Sequence, residues 1–329
     1  MRTLLAIVLC LALSMASAAR ACPGGIDATF IQLHDEQLRW GGAEWARAAT
    51  DLRRLGISTV IVQYTGDAQG SFGERYGGRS IAHLLAAAGQ RGIEVWVGLD
   101  EAPSWPRVAP PRFSPLSDER RAAELARLCA SHASCAGFYL SPEIDDTTWS
   151  DRISQLRARV RRSVSVLRSH RPRARVSIAP FFTRRLGPAA YARFLVALLH
   201  GADIDVVMLQ GGTGTGRASP ADARMYYRAL APVLRARGVD TWLVVELFDQ
   251  MSGTPWDEGP FSARPATIDV VRRALLADER GLEHRVAFSV LDYMSGPDPR
   301  ARRLRADYRA FCRRRADRVV PIAERASSR

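Results

Sequence analysis

Short apolar runs recur along this chain, each separated from the next by a longer segment whose apolar residues return at helical spacing. A helix-like segment ends in a basic or polar residue and a glycine, and a β-branched apolar run follows. The pattern is clearest in RLGISTVIVQY (Arg54 to Tyr64), QRGIEVWVGLD (Gln90 to Asp100) and ARGVDTWLVVE (Ala236 to Glu246). HGADIDVVMLQ (His200 to Gln210) and ERGLEHRVAFSV (Glu279 to Val290) are weaker copies. Glycine just past a helix takes the left-handed cap conformation without a Cβ clash. An unbroken apolar run after it fits a strand buried on both faces, as in a parallel sheet. Repeated units of this kind predict βα architecture.

Eight strands are predicted: Ala28–Leu33, Thr59–Tyr64, Glu94–Leu99, Gly137–Ser141, Arg175–Pro180, Asp205–Gln210, Trp242–Leu247 and Val286–Leu291. Helices fit between them at Ala43–Leu55, Ile81–Arg91, Ser117–Ser131, Ser150–Ser169, Pro188–His200, Pro220–Arg237, Ala266–Asp278 and Pro299–Arg313. Ser219-Pro220 and Asp298-Pro299 each put a capping side chain before a proline at the first helical position. Eight alternations in one α/β domain predict a (β/α)8 TIM barrel. An open doubly wound sheet would want a glycine-rich first βα turn, and HDEQLRWGGAEW (His34 to Trp45) lacks that fingerprint.

The chain ends lie outside this pattern. Met1-Arg2, the apolar run Leu4 to Leu13 and Ala16-Ser17-Ala18 read as a signal peptide over 1–18, with cleavage as late as residue 21. No later stretch is long and apolar enough for a membrane span. An exported, periplasmic or extracellular, monomeric protein is expected, with a barrel domain over 22–313 and a basic flexible tail over 314–329. Without Cys10, four cysteines remain, which allow three pairings. Cys129–Cys135, a short local loop, and Cys22–Cys312, tying the two ends together, are favoured. A zinc site is the rival, but no histidine has ligand spacing with these cysteines or with another histidine, so neither metal nor cofactor is expected.

The net charge is +13, and every basic residue is arginine. Such a surface suits a polyanion, including an acidic polysaccharide. The arginines are scattered through predicted helices, which favours a solvated surface, and no specific nucleic-acid binding is expected.

Candidate chemistry sits where the strands end, the face on which such barrels carry their active sites. In GFYLSPEIDD (Gly137 to Asp146), Pro142 stops the strand and Glu143, Asp145 and Asp146 follow. In TWLVVELFD (Thr241 to Asp249), Glu246 ends the apolar run. Carboxylates at buried strand ends are costly unless paired, hydrogen-bonded or in use. Glu143 on strand four and Glu246 on strand seven could flank one glycosidic bond, Glu143 as acid/base and Glu246 as nucleophile or base. The alternative is that each pairs with arginine or caps a helix. Gln32, Gln63, Asp100, Asp145, Gln210, Asp292 and Tyr293 complete a polar rim expected to bind substrate. Trp105, Trp149 and Trp256, with Trp40, fall in loops on the same face, where indole rings could stack on sugars or serve as lids. The glycine-rich GGTGTGR (Gly211 to Arg217) matches neither dinucleotide nor P-loop spacing and reads as a flexible loop.

Several stretches carry a resemblance: TFIQL (Thr29 to Leu33), LGISTVIVQYT (Leu55 to Thr65), VWVGL (Val95 to Leu99), GFYLSPEIDD, VVMLQGGTG (Val206 to Gly214), WLVVELF (Trp242 to Phe248) and FSVLDYMS (Phe288 to Ser295). In order and over nearly the whole mature chain, they resemble the bacterial secreted domain of unknown function 4434 family, regarded as TIM-barrel glycosyl hydrolases. The resemblance implies the barrel and a carbohydrate role. Glu143, Glu246 and Asp292 fall on acidic positions of that family. Gly211 departs from it, standing where an aspartate is expected. The expectation is thus a glycoside hydrolase acting on a polysaccharide or oligosaccharide. A non-catalytic polysaccharide-binding barrel and a polyanion-binding surface protein are the alternatives.

Overall fold

The computed structural model describes residues 22–67, 70–76, 78–99, 115–252, 261–275 and 284–319. Eight parallel strands close into a barrel: β1 (Ala28–Ile31), β2 (Thr59–Val62), β3 (Glu94–Gly98), β4 (Cys135–Leu140), β5 (Arg175–Ile178), β6 (Val206–Gln210), β7 (Asp240–Glu246) and β8 (Arg285–Phe288). Each pairs with its neighbour in sequence, and β8 closes on β1 with Ala28 opposite Val286. The helices between them are α1 (Gly42–Arg54), α2 (Arg79–Gly89), α3 (Pro115–Ala130), α4 (Ile153–His170), α5 (Pro188–Leu199), α6 (Pro220–Arg235), α7 (Ile268–Leu275) and α8 (Pro299–Val319). This is the (β/α)8 barrel that the periodicity predicts. The glycines that punctuate the repeat, Gly56, Gly92, Gly201 and Gly238, all have positive φ, the conformation a residue with a Cβ resists. Helix α8 runs six residues past Arg313 to Val319, so the segment beginning at residue 314 is helical for its first turn and a half.

Two apolar layers hold the barrel. Outside the strands, Trp45, Leu52, Leu84, Val160, Leu195 and Leu230 join the helices to the sheet. Inside, Phe30, Ile61, Trp96, Tyr139, Met208, Trp242, Val244 and Val286 fill the hollow. Alternate residues of a strand face opposite sides, so with Trp242 and Val244 inside, Glu246 also faces in, one layer higher. The floor is closed by cation and ring. The Arg175 guanidinium lies 5.5 Å from the Trp96 ring and 6.0 Å from Trp242, and bonds Asp240. Trp242 in turn packs at 4.5 Å on His284, which meets Asp27 at 3.0 Å.

Both favoured disulfides are formed, Cys129–Cys135 and Cys22–Cys312. The second joins the segment before β1 to α8 across a sequence separation of 290. Beside it the Tyr308 hydroxyl accepts from the Ile26 amide at 2.8 Å. A cross-link over a long loop restricts the unfolded chain most. Cys22→Ser/Cys312→Ser is therefore expected to lose about 2–5 kcal/mol in denaturant unfolding, and Cys129→Ser/Cys135→Ser, closing a short loop, less.

Candidate active site

The rim at the carboxyl ends of the strands is organised around Glu246. This side chain is buried, with 5% of its surface exposed. The loop after β6 closes over it: the Gly212 amide donates to Oε1 at 2.9 Å, and the Gly214 amide and Thr213 hydroxyl donate to Oε2 at 2.7 and 3.1 Å. The segment that reads in sequence as a flexible glycine-rich loop is thus an anion cradle, and its anion is the chain's own carboxylate. Glycine is required twice. Gly212 has φ +70°, and a Cβ on Gly214 would lie 2.5 Å from the Phe248 carbonyl oxygen and 2.8 Å from Glu246 Cβ. The Gln250 amide also donates to the Gly214 carbonyl at 2.8 Å. That bond ties the loop to the hairpin Phe248–Gln250/Ala263–Pro265. Burial pushes the Glu246 pKa up, and the three donors oppose the rise.

Glu143 follows β4 by three residues and is half-buried. Complete burial, with the charge of Glu143 adding to it, holds the Tyr139 phenol above its ordinary range. The acids after it do other work. Asp145, expected to bind substrate, is buried, and its Oδ1 accepts from the Thr147 and Thr148 amides, both at 2.6 Å. Asp146 accepts from the Thr183 amide at 2.6 Å and the Leu186 amide at 2.8 Å, clamping the β4 loop to the β5 loop. This turn draws Trp149 inward. Its ring is 6% exposed and its Nε1 donates to the Glu143 carbonyl at 3.3 Å, so Trp149 is a core residue rather than a stacking platform. Trp40 packs edge-on against Trp45 at 4.8 Å.

The three glutamines are at the rim. Gln32 donates to the Tyr64 hydroxyl at 3.4 Å, and Gln210 turns back onto the Ala179 carbonyl at 2.8 Å. Gln63 Oε1 is buried with no hydrogen-bond partner among the described residues. Asp100, Trp105 and Trp256 lie outside the described residues.

A pair that the sequence leaves unconnected forms where β8 meets β1. His34 Nε2 lies 3.4 Å from Asp292 Oδ1, and the Ser289 hydroxyl holds Asp292 Oδ2. Asp292, with Asp35 and Glu36 beside it, raises the His34 pKa above its ordinary value. Tyr293, next in the chain, is pushed up to about 12 by burial and by Asp292. Its ring lies 5.2 Å from Phe248, which meets Phe261 edge-on at 5.6 Å, and Phe261 is 58% exposed. The signal for the pair is topological: both residues follow strands that become neighbours only when the barrel closes. Among the described residues no group of three or more His, Cys, Asp or Glu could hold a metal ion. No helix among them is long and apolar enough to cross a membrane.

The fold and rim define a class, a (β/α)8 barrel with carboxylates at its mouth. Within that class, the chain belongs to the family described as Domain of unknown function (DUF4434), matched over residues 26–301. No curated protein matches. A protein of Bacteroides thetaiotaomicron VPI-5482, provisionally assigned as an alpha-L-fucosidase, is similar with a TM-score of 0.70 at 18% identity, over 89% of this chain and 97% of that one. Pseudomonas stutzeri endoglucanase Cel5A is similar at 0.53 and 11% identity, over 82% and 83%. The carboxyl transferase domain of Rhizobium etli pyruvate carboxylase is similar at 0.50 and 13%, over 89% and 48%. At these identities the likeness is one of fold.

Two outcomes are expected. Gly214→Ala should lower stability by about 1–3 kcal/mol, read by denaturant unfolding, because its Cβ meets backbone and strand atoms that cannot yield. For His34, whose folded pKa is raised, the stabilisation from Asp292 is fully present below the unfolded value of 6.5 and is lost as pH rises through the folded value. An NMR titration should put the His34 midpoint above 6.5, and Asp292→Asn should bring it down.

Proposed function

We propose that this chain is an exported glycoside hydrolase acting on a polysaccharide or oligosaccharide through two carboxylates. Glu143 is the acid/base, and Glu246 is the nucleophile or the base that activates water. The observation carrying this reading is Glu246 itself: a buried carboxylate on the inward register of β7, oriented by three donors. The acid protonates the glycosidic oxygen as the bond to the anomeric carbon breaks. The other carboxylate attacks that carbon from the opposite face or takes a proton from the attacking water. A carboxyl separation of about 5–5.5 Å goes with the first course and about 6.5–9.5 Å with the second. Tyr293 and Phe261 offer apolar ring surface for a sugar face, while Gln32, Gln63, Gln210 and the His34–Asp292 pair offer hydrogen bonds.

A second reading, a non-catalytic polysaccharide-binding barrel, is favoured by one observation. Both oxygens of Glu246 are already engaged by the glycine loop, so the residue could serve as a lock on that loop. In this reading Gly211, where an aspartate is expected, is a lost carboxylate.

Turnover on a panel of bacterial exopolysaccharides, with stability measured in parallel, separates the readings. Glu143→Gln should lower kcat by about 10²–10⁴-fold with its fold intact. Glu246→Gln should abolish turnover while losing about 1–3 kcal/mol, since its NH2 must face a backbone N–H. Saccharide binding without turnover by the wild type supports the second reading. Unchanged turnover in both variants overturns the assigned roles.

A further inference from the structure

Helix α8 carries nine arginines and two aspartates in 21 residues, a surplus of seven against +13 for the whole chain. Its inner face is apolar: Ala301, Leu304, Tyr308, Phe311 and Cys312 are buried. On its outer face Arg302, Arg309 and Arg313 fall on one stripe, with Ala306 between the first two and Arg303 and Arg314 alongside, all exposed. At 1.5 Å per residue, Arg302 to Arg313 spans about 16 Å. Arg272 and Arg273 are exposed on α7, which packs against α8, and Arg53 and Arg54 are exposed on α1, whose Asp51 pairs with Arg305 of α8. The neighbouring acids are partly committed inside this surface, Asp307 to Arg303 and Asp51 to Arg54 and Arg305. Arg302, Arg303, Arg309, Arg313 and Arg314 thus form one elongated basic ridge on the outside of the barrel.

We propose that α8 is a docking ridge for a linear acidic polysaccharide. The occupant follows from what the ridge has and lacks. Guanidinium forks match carboxylates in bidentate geometry, and a row of them suits a chain with repeated anionic groups. A membrane-surface helix needs large apolar side chains facing outward. The exposed large hydrophobic residues among those described are Met225, Met251 and Phe261, none of them on α8. Binding of single-stranded nucleic acid relies on aromatic platforms among the basic groups, and Tyr308 and Phe311 are buried at 1% and 5%. The ridge is independent of the rim carboxylates, so it stands whether or not the barrel cleaves a glycan.

The test is titration of the mature protein with an alginate oligomer at several salt concentrations. Arg302→Gln/Arg309→Gln/Arg313→Gln/Arg314→Gln is compared with a control of equal charge change, Arg152→Gln/Arg161→Gln/Arg173→Gln/Arg235→Gln, on other exposed surface. The α8 variant should weaken binding about tenfold or more at low salt and flatten the salt dependence, with the control near wild type. Arg302 also bonds the Pro297 carbonyl. The triple variant without that substitution should therefore show most of the loss with an unchanged melting curve. Equal loss in the two quadruple variants, or no alginate binding by the wild type, overturns the proposal. So does tighter α8-dependent binding of an oligothymidine or of phosphatidylglycerol vesicles.

Discussion

A carboxylate removed from water must be met by donors, and at Glu246 that requirement shapes a whole quadrant of the barrel. Burial without hydrogen bonds would cost several kcal/mol or drive the group neutral. The donors come from a loop on the neighbouring strand, and their approach is close enough that Gly214 has no room for a side chain. The same loop accepts from Gln250 in the hairpin that follows β7. Strand β6, strand β7 and the hairpin are thereby joined through one ionisable side chain. The hairpin in turn positions Phe248 against Tyr293, so the aromatic edge of the rim is set by the same contact.

The polarity of the barrel interior changes with height. At the floor, Arg175, Trp96, Trp242 and His284 stack and pair, with their charges answered by Asp240 and Asp27. Above them the inner layer is apolar. At the top, the inward register of β6 and β7 reaches Gln210 and Glu246, and the next inward positions after β1 and β2 are Gln32 and Gln63. A packed core needs apolar groups at such positions. Polar groups there tolerate burial only where hydrogen bonds or a ligand satisfy them, which fixes the face of the barrel where chemistry can occur.

The fold was legible because its signals are local. The helix–glycine–strand repeat lies within a dozen residues at each occurrence, and each strand begins within two residues, and ends within three, of where the apolar run places it. The pairing of Cys22 with Cys312 was legible for a different reason, since few alternatives existed. The site was legible only as far as a carboxylate at the end of a buried run is conspicuous. The donors to Glu246 were not, because two of the three are backbone amides, which carry no residue signature beyond the glycines that allow their approach. Trp149 misled because a loop after a strand need not stay at the surface: Asp145 folds the segment into a turn that carries the ring into the core. His34 and Asp292, 258 positions apart in the sequence, become neighbours only through barrel closure.

The protonation of Glu246 decides which chemical role it can fill, and two influences oppose each other there. Burial favours the neutral acid, which would suit a proton donor to a leaving group. The hydrogen bonds favour the anion. Geometry discriminates between them. Gly212 and Gly214 present backbone N–H groups, which donate and cannot accept, so each oxygen meets at least one obligate donor. A proton on Oε1 would face the Gly212 N–H, whereas a proton on Oε2 has the Thr213 hydroxyl as an acceptor, so the two backbone amides favour the anion and the hydroxyl accommodates either form. The backbone donors of the cradle favour the carboxylate, and in the two-carboxylate scheme proposed above the anionic part would then fall to Glu246 and proton delivery to Glu143, half-buried on the β4 side of the mouth.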